Sequence, residues 1–299
     1  MPALNNMITT AEMNVALDQE FIANFRQDYD RLADILGIFS PETMSAGVVL
    51  NQTKITGELN DAKAADSSSG TAYVEGDLVA LSKYKTEKTA IDTVKVQPYR
   101  KMTTAQAILK SGHETAVLKT DRKMLSQIRN AIVAKFFSFL ANGTGEATGK
   151  TLQAAAANVD AELGDTLESN DDSTDRIIHF VSRQDAADYL GNAAITTQTA
   201  FGLTYLEQFL GFTNVFMTNK VAKGTIWATP VENIHIFGVD FGALASGGLS
   251  YAQDSSGLIG VAHKPAYDHV STETNVLCGT YLFPENTDYI VKGTIAPVA

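Results

Sequence analysis

The chain has few of the residues from which redox, metal and covalent sites are built. Its 299 residues include one cysteine, Cys278, which excludes a disulfide within the chain. Cys278 lies in the apolar run NVLCGTYLF without a basic neighbour, which favours a buried side chain over a reactive thiol. Five histidines are scattered without an HExxH pattern. The nearest two, His263 and His269, leave metal binding open but do not favour it.

Several catalytic motifs are also missing. The sequence contains no GxSxG, CxxC or GxGxxG. The acidic pair Asp171-Asp172 lies in ESNDDSTD, whose composition indicates an exposed turn and not a catalytic pair. The residues therefore predict a protein with no catalytic residues, no cofactor and no metal ion.

Long hydrophobic runs and basic charge are scarce. No run reaches the roughly 20 residues of a membrane-spanning helix, and the N-terminal MPALNNMITTAEMNVALDQE lacks the basic head and apolar run of a secretion signal. We therefore expect a soluble protein made in a cytoplasm. The 34 acidic residues outnumber the 23 basic ones, so the surface as a whole repels nucleic acid and anionic lipid. The net negative charge does not exclude a basic patch on one part of the surface.

The segment GTGEATGKT, residues 143–151, resembles a phosphate-binding loop without matching it. The pattern GxxxxGK[ST] requires a glycine where this chain has Thr144, and the segment follows the apolar helix end FFSFLAN instead of a strand. The alternative is structural: Gly143 and Gly145 let the chain leave a long helix, and Gly149 lets it turn into the next one. Nucleotide binding remains the less favoured alternative.

Helical periodicity is strongest in two segments. A helix is predicted from about Glu20, in EFIANFRQDYDRLADILGI, ending at Gly37. A longer core helix is predicted in TDRKMLSQIRNAIVAKFFSFLANG, capped by Asp121 and ended by Asn142-Gly143. Their apolar stripes are Phe21, Phe25, Tyr29, Leu32 and Leu36 in the first, and Leu125, Ile128, Ile132, Phe136 and Leu140 in the second. Phe137 and Phe139 add a second apolar side to the longer helix.

The rest of the chain alternates between segments with helical periodicity and segments with strand periodicity, which predicts an α+β or mixed α/β class. The predicted helices are TTAQAILKSGH, TLQAAAANVDAEL, SRQDAADYLGN with Ser182 as cap and Gly191 as stop, and GLTYLEQFLG. The predicted strands are RIIHFV, TNVFMT, GTIWATP, NIHIFG, GLIGVAH, NVLCGTYLF and DYIVKGTI.

Residues 48–101 predict two extended arms joined by a polar tip. NDAKAADSSSGTAYVEGD is poor in apolar residues, and Val94 and Val96 alternate with polar residues at strand period before Pro98, which suits a sheet edge. A two-stranded ribbon is at best marginally stable alone in water. We therefore expect this ribbon to be buried against another surface, either of this chain or of a second one.

The order of these elements resembles the major capsid proteins of tailed double-stranded DNA phages, which have the Hong Kong ninety-seven fold. KMTTAQAILKSGHETAVLKTDRKMLSQIRNAIVAKFFSFLANGTGEATG is similar to the passage from their extended loop into their spine helix. DAADYLGNAAITTQTAFGLTYLEQFLG, GTIWATPVENI, GLIGVAHKPAYDHVSTET and LFPENTDYIVKGTI are similar to capsid sequences from phages of Gram-positive hosts. The resemblance covers nearly the whole chain.

The resemblance implies four parts: an N-terminal arm (1–46), an extended loop (47–101), a peripheral domain around the spine helix (102–159 and 258–299), and an axial domain (160–257). It implies a coat protein without enzymatic activity that assembles through hexamers and pentamers into an icosahedral head. The head would enclose double-stranded DNA without sequence-specific binding and would be assembled in the host bacterial cytoplasm. The alternatives are an encapsulin-type cellular compartment, a nucleotide-binding protein and a soluble monomeric binding module.

The resemblance also implies partners and contact residues. The short stretch before Glu20 and the initial Met1 favour a separate scaffolding protein over a cleaved N-terminal scaffold, beside portal and head-completion proteins. Contacts between subunits are expected at Lys63, Tyr73, Glu75, Lys83, Lys85 and Lys88 of the loop and at Phe21 and Phe25 of the arm. A cross-link between a loop lysine and Asn275 occurs in some relatives, but no spacing in this chain predicts one.

Overall fold

The computed structural model describes residues 10–36, 42–59, 75–76, 78–174, 176–191, 198–200, 203–209, 212–253 and 258–296. The chain divides into two units. We call the smaller one, Val49–Thr93, the ribbon, and the rest of the chain, up to Val48 and from Val94, the body.

The ribbon is a pair of antiparallel strands, β2 (Val49–Glu58) and β3 (Lys83–Thr93). Their register runs from Val49 opposite Thr93 to Glu58 opposite Lys83, with one irregularity at Leu50/Asn51. This confirms the two extended arms predicted from the sequence. Most of the predicted tip, residues 60–74 and 77, lies outside the described residues.

The body contains six α-helices among its described residues. They are α1 (Thr10–Leu36), α2 (Ala105–Ser111), α3 (Lys119–Leu140), α4 (Leu152–Ser169), α5 (Arg183–Leu190) and α6 (Gly242–Ser246). A π-helical turn, Glu114–Leu118, leads directly into α3. Among the described residues, none of the helices is long and apolar enough to cross a membrane.

The strands in the described part of the body form three sheets. The largest has the order β5-β16-β10-β6-β9-β8-β7, the second β12-β13-β14-β4, and the third β1-β11-β15. Their ranges are β1 (Glu42–Met44), β4 (Gln97–Thr104), β5 (Gly145–Gly149), β6 (Ile177–Ser182), β7 (Gln198–Ala200), β8 (Leu203–Phe209), β9 (Phe212–Thr218), β10 (Thr225–Pro230), β11 (Ile234–Val239), β12 (Ala252–Gln253), β13 (Ile259–Ala266), β14 (Ser271–Cys278), β15 (Tyr281–Pro284) and β16 (Val291–Ile295). Parallel pairing occurs at β5–β16, β6–β9 and β1–β11.

The main core forms around α3. All five stripe residues predicted for this helix are buried, and so are Phe137 and Phe139. Phe136 and Phe137 both meet the ring of Phe180 on β6 edge to face, at 5.5 and 5.2 Å between centroids. A second core cluster packs α4 against the largest sheet, with Ala155, Val159 and Leu163 fully buried. The double-sided apolar pattern of α3 therefore reflects its central place in the body.

Two sequence predictions about the helices are corrected. Helix α1 begins at Thr10 and not near Glu20, because TAEMNVALDQ contains no Gly or Pro to stop it. Asp121 does not cap α3, because the π turn continues the helix upstream and the Asp121 carboxylate is buried against other elements. The predicted stop at Gly37 lies outside the described residues.

Two predictions about the strands are also corrected. GLTYLEQFLG was predicted to be a helix, but its residues 203–209 form β8, which pairs antiparallel with β9. The predicted continuation of the ribbon through Val94 and Val96 is wrong, because β3 ends at Thr93 and β4 begins at Gln97. Strand β4 pairs with β14 and lies at the edge of the second sheet. An edge strand tolerates Pro98, which has no backbone N–H to donate to a further strand.

Candidate assembly surface

The two strands of the ribbon give it two different faces. Side chains alternate along a strand, and directly opposed residues of an antiparallel pair share a face. Ile55 is opposite Thr86 and Gly57 is opposite Tyr84, so these four residues lie on one face. Lys54 opposite Glu87, Thr56 opposite Lys85 and Glu58 opposite Lys83 form the other face. We call them the apolar face and the charged face.

Large hydrophobic side chains stay exposed on the apolar face. Ile55 is 66% exposed and Tyr84 is 60% exposed. The Tyr84 ring lies over Gly57, where a Cβ would overlap the ring. Three more exposed apolar residues, Leu78, Val79 and Leu81, precede β3. A soluble monomer gains nothing from keeping such residues in water, and clusters of this kind mark contact sites.

The charged face carries an ion pair. Lys85 Nζ lies 2.5 Å from Glu87 Oε1, two residues along the same strand and therefore on the same side. The hydrogen bond from Lys85 lowers the pKa of Glu87, and the same bond raises the pKa of Lys85. Both side chains are exposed to water, so the pair adds little to stability and serves solubility.

The two body segments that lead into the ribbon are hydrogen-bonded to each other. Gly47 N–H donates to Val94 O, and Val94 N–H donates to Val48 O, both at 2.8 Å. The backbone of Gly47 has φ 91°, a conformation that favours glycine. The side chain of Val94 is fully buried, so the chain is held in place at the residue that follows β3.

Tyr281 of β15 holds the next residue of the chain. Its hydroxyl donates to Lys95 O and accepts from Lys95 N–H, both at 2.8 Å. Lys135 Nζ of α3 lies 4.0 Å from the centroid of the same ring, a cation–π contact. Tyr281 therefore ties the segment that follows the ribbon to the core helix of the body.

The structure divides the predicted contact residues into three groups. Lys83, Lys85 and Lys88 are exposed on β3, and Glu75 is exposed in a turn. Lys63 and Tyr73 lie outside the described residues. Phe21 and Phe25 are buried in the main core of their own chain, beside α3, so the structure removes them from the contact surface. Asn275 lies on β14, opposite Arg100 of β4.

The three glycines of the loop predicted at residues 143–151 have a different role from the expected one. None has a positive φ, and Gly145–Gly149 is strand β5, paired parallel with β16. A Cβ at Gly143 or Gly145 would overlap Ile290 or Val291, and one at Gly149 would overlap the backbone of Ala155. Gly143 does lie at the exit of α3, where its N–H donates to Leu140 O at 3.0 Å, but the need for glycine at the three positions comes from the chain segments that pack against them.

This arrangement also bears on the nucleotide-binding alternative. The segment follows helix α3, as the sequence predicted, and its residues 145–149 form β5, so only Lys150 and Thr151 separate this strand from α4. Thr151 Oγ1 accepts the Ala154 N–H at 3.1 Å, so it caps the helix. Two residues leave too short a loop to surround a phosphate, which needs several backbone N–H groups turned towards it.

The predicted histidine pair is not brought together as a ligand set. His263 is buried between Asp18 and Asp121, whereas His269 is exposed in the turn between β13 and β14. Among the described residues no group of three His, Cys, Asp or Glu side chains has a metal-holding arrangement. Cys278 is buried as predicted, and this burial raises its pKa to about 11.

Comparison of the sequence with known families and with curated proteins finds no match.

Solved structures show what its fold is similar to. The capsid of a native GTA particle matches over 99% of this chain and 94% of its own, with TM-score 0.52 and 10% identity. The capsid of an empty GTA particle matches over 86% and 88%, with TM-score 0.50 and 11% identity. The holo-SrpI encapsulin of Synechococcus elongatus PCC 7942 matches over 86% and 85%, with TM-score 0.50 and 9% identity. The chain therefore has the fold of these shell proteins, as the sequence predicted.

Proposed function

We propose that the chain is the major capsid protein of a tailed double-stranded DNA phage. Copies of it assemble through hexamers and pentamers into the icosahedral head that encloses the genome. The observation that carries the proposal is the ribbon, whose apolar face keeps Ile55 and Tyr84 largely exposed within a single chain. The shell fold supports the same conclusion, since proteins with this fold in a GTA particle form a capsid.

The energetics favour burial of this face on a second copy. Burying a side chain as large as Ile55 or Tyr84 contributes about 1.5–3 kcal/mol. A specific contact typically buries about 1,600 Å² in total, to which a long ribbon adds a large share. Because the same contact repeats around a closed shell, modest individual contacts sum to a stable particle.

The fold suggests a division of labour within the shell. Residues 1–46 form the arm and 47–101 the extended loop, of which the ribbon is the independently packed part. Residues 102–159 and 258–299 form the peripheral domain, with α3 as the spine helix. Residues 160–257 form the axial domain, whose loops meet at the centres of hexamers and pentamers.

The proposed partners follow from this role. The chain contacts itself, a separate scaffolding protein, a portal protein and head-completion proteins, and it has no membrane partner. Its net charge of −11 suits a container, because an acidic wall does not hold packaged DNA by nonspecific attraction. The role is structural, assembly takes place in the host bacterial cytoplasm, and the product is part of the virion.

A matched pair of substitutions tests the proposal. Ile55→Glu places a charge on the apolar face, and Thr56→Glu places the same charge on the other face one residue later. Electron microscopy of the purified protein, alone and with a scaffolding partner, should show shells for wild type and Thr56→Glu but not for Ile55→Glu. Circular dichroism should show that Ile55→Glu is still folded. Normal shells from Ile55→Glu would contradict the proposed contact.

An encapsulin-type compartment is the second candidate, favoured by the match to the SrpI encapsulin. Both candidates predict closed shells built from this chain. They differ in content, because a phage head holds double-stranded DNA whereas a compartment holds protein cargo. Nuclease-resistant DNA in particles purified from the native source supports the head, and co-purifying enzyme without DNA supports the compartment.

A further inference from the structure

A buried cluster of charged side chains joins four elements of the body. Its members are Asp18 of α1, Lys101 of β4, Asp121 of α3 and His263 of β13, with the hydroxyl of Thr274 on β14 beside them. Asp18, Asp121 and His263 are each more than 90% buried. Charged groups rarely stay in the interior unless they are paired, so the pairing within this cluster decides its charge state.

His263 contacts a carboxylate at both ring nitrogens. Its Nδ1 lies 2.6 Å from Asp18 Oδ1, and its Nε2 lies 3.2 Å from Asp121 Oδ2. An ionised carboxylate only accepts hydrogen bonds, so each ring nitrogen must carry a proton. The ring is therefore an imidazolium cation, and the His263 backbone N–H adds a third bond, to Asp18 Oδ1 at 2.9 Å.

Lys101 completes the charge balance. Its Nζ lies 2.6 Å from Asp121 Oδ1 and is also bonded to Val117 O and Thr120 Oγ1. Two carboxylates then face two cations, and the cluster is neutral overall. Thr274 contributes a neutral hydroxyl, which donates to Asp121 Oδ1 at 3.1 Å. The ion pair between Glu20 and Arg122 is more exposed, at 3.9 Å.

We propose that this cluster is a charge lock, which fastens α1 to α3 and β13 while His263 is protonated and releases α1 when the ring loses a proton. Loss of that proton leaves a nitrogen lone pair facing a carboxylate oxygen and one uncompensated negative charge in the interior. Asp18 is the member of the cluster on α1, and it then faces a neutral ring instead of a cation. Phe21 and Phe25 follow on the same helix, so loosening at Asp18 weakens their docking as well.

The pH at which the lock opens follows from its surroundings. Burial alone would lower the pKa of His263, but the hydrogen bonds that its ring donates to Asp121 and Asp18 outweigh this effect and raise the pKa from 6.5 to about 9. A raised pKa means that the stabilisation is complete below about 6.5 and is lost as the pH rises through about 9. The lock is therefore closed near neutral pH and opens in alkaline solution. This inference does not depend on the proposed function.

Tryptic cleavage of the unassembled protein measures the release of α1. Arg26 reports on α1, and Arg183 of α5 serves as an internal reference because α5 packs against β6, β9 and α4. The ratio of the two cleavage rates cancels the pH dependence of the protease. Between pH 8 and pH 10 the ratio should rise about tenfold, as expected for one group with a pKa of about 9. A ratio that stays constant would overturn the proposal.

Variants assign the effect to His263. In His263→Gln the ratio should be raised at pH 8 and nearly independent of pH. His179→Gln is the control, because His179 is also buried and contacts one carboxylate, Asp160. This control should keep the rise seen in wild type. A rise that persists in His263→Gln would overturn the proposal.

Two further measurements decide the matter if His263→Gln does not fold. Asp18→Asn keeps the size of the side chain and removes its charge, so it should raise the ratio at pH 8; an unchanged ratio counts against the lock. Nitrogen NMR of the wild-type imidazole should show protons on both ring nitrogens at pH 8. A neutral ring at that pH would overturn the proposal.

Discussion

Removing the Phe136 ring tests whether α3 is the centre of the body. Phe136 is 2% exposed and meets Phe137 and Phe180 edge to face, at 5.6 and 5.5 Å between ring centroids. Phe136→Ala removes a buried ring and leaves a cavity, which costs about 3–5 kcal/mol. The two edge contacts place the expected loss in the upper part of that range, at about 4 kcal/mol or more.

The assay is guanidinium unfolding of the unassembled subunit, followed by circular dichroism. Leu109→Ala is the control, because Leu109 is 86% exposed on α2 and its truncation should change the free energy of unfolding by less than about 0.5 kcal/mol. The midpoint should shift in Phe136→Ala at a nearly constant slope. A loss below about 1 kcal/mol would refute the assignment of α3 as the core helix.

The remaining predictions concern glycine packing, the attachment next to the ribbon and the buried carboxylate. Gly149→Ala should lower the melting temperature, because the new Cβ would overlap the Ala155 backbone, whereas Gly164→Ala within α4 meets open space and should stabilise by about 0.5–1 kcal/mol. Equal effects of the two substitutions in thermal melts would count against this packing. Tyr281→Phe should cost about 1 kcal/mol and speed hydrogen exchange of the Lys95 amide, whose bond to the hydroxyl is lost; unchanged exchange would contradict the attachment. Burial acts to raise the pKa of Asp121, but hydrogen bonds from His263 and Lys101 lower it overall. The stabilisation from Asp121 is therefore present above the ordinary carboxyl pKa and is lost as the pH falls through the lowered pKa. Asp121→Asn should be less stable than wild type at neutral pH, and its stability should fall less steeply as the pH is lowered into the acid range. An unchanged acid dependence of stability would argue against this pairing.

Local periodicity was enough to predict α3 and the strands of the ribbon. The stripe from Leu125 to Leu140 repeats at helical spacing, and its burial requires only that the helix have a core to face. Segment 203–209 shows the limit of this reasoning. Leu203, Leu206 and Phe209 fit a helical spacing about as well as Leu203, Tyr205 and Phe209 fit an extended one. Pairing with β9, which places Leu206 opposite Val215, decides for the strand.

Contacts between distant parts of the chain were beyond prediction. The charge lock joins Asp18 to His263 across 245 residues, and no local pattern marks either residue. The apolar stripe of α1 predicted a buried face but not its partner, so Phe21 and Phe25 were assigned to a neighbouring subunit when they pack in their own core. The close approach of Ala155 to Gly149 was likewise invisible, and a turn was predicted in its place.

Burial of the apolar face on a second copy can be measured by cysteine labelling. Ile55→Cys introduces a thiol on that face, and the native Cys278 gives little background because it is buried and its pKa is raised to about 11. A maleimide should label Ile55→Cys rapidly in unassembled subunits and at least about tenfold more slowly in assembled particles, with Thr56→Cys as the control for the other face. Equal labelling of Ile55→Cys in subunits and particles would contradict the account.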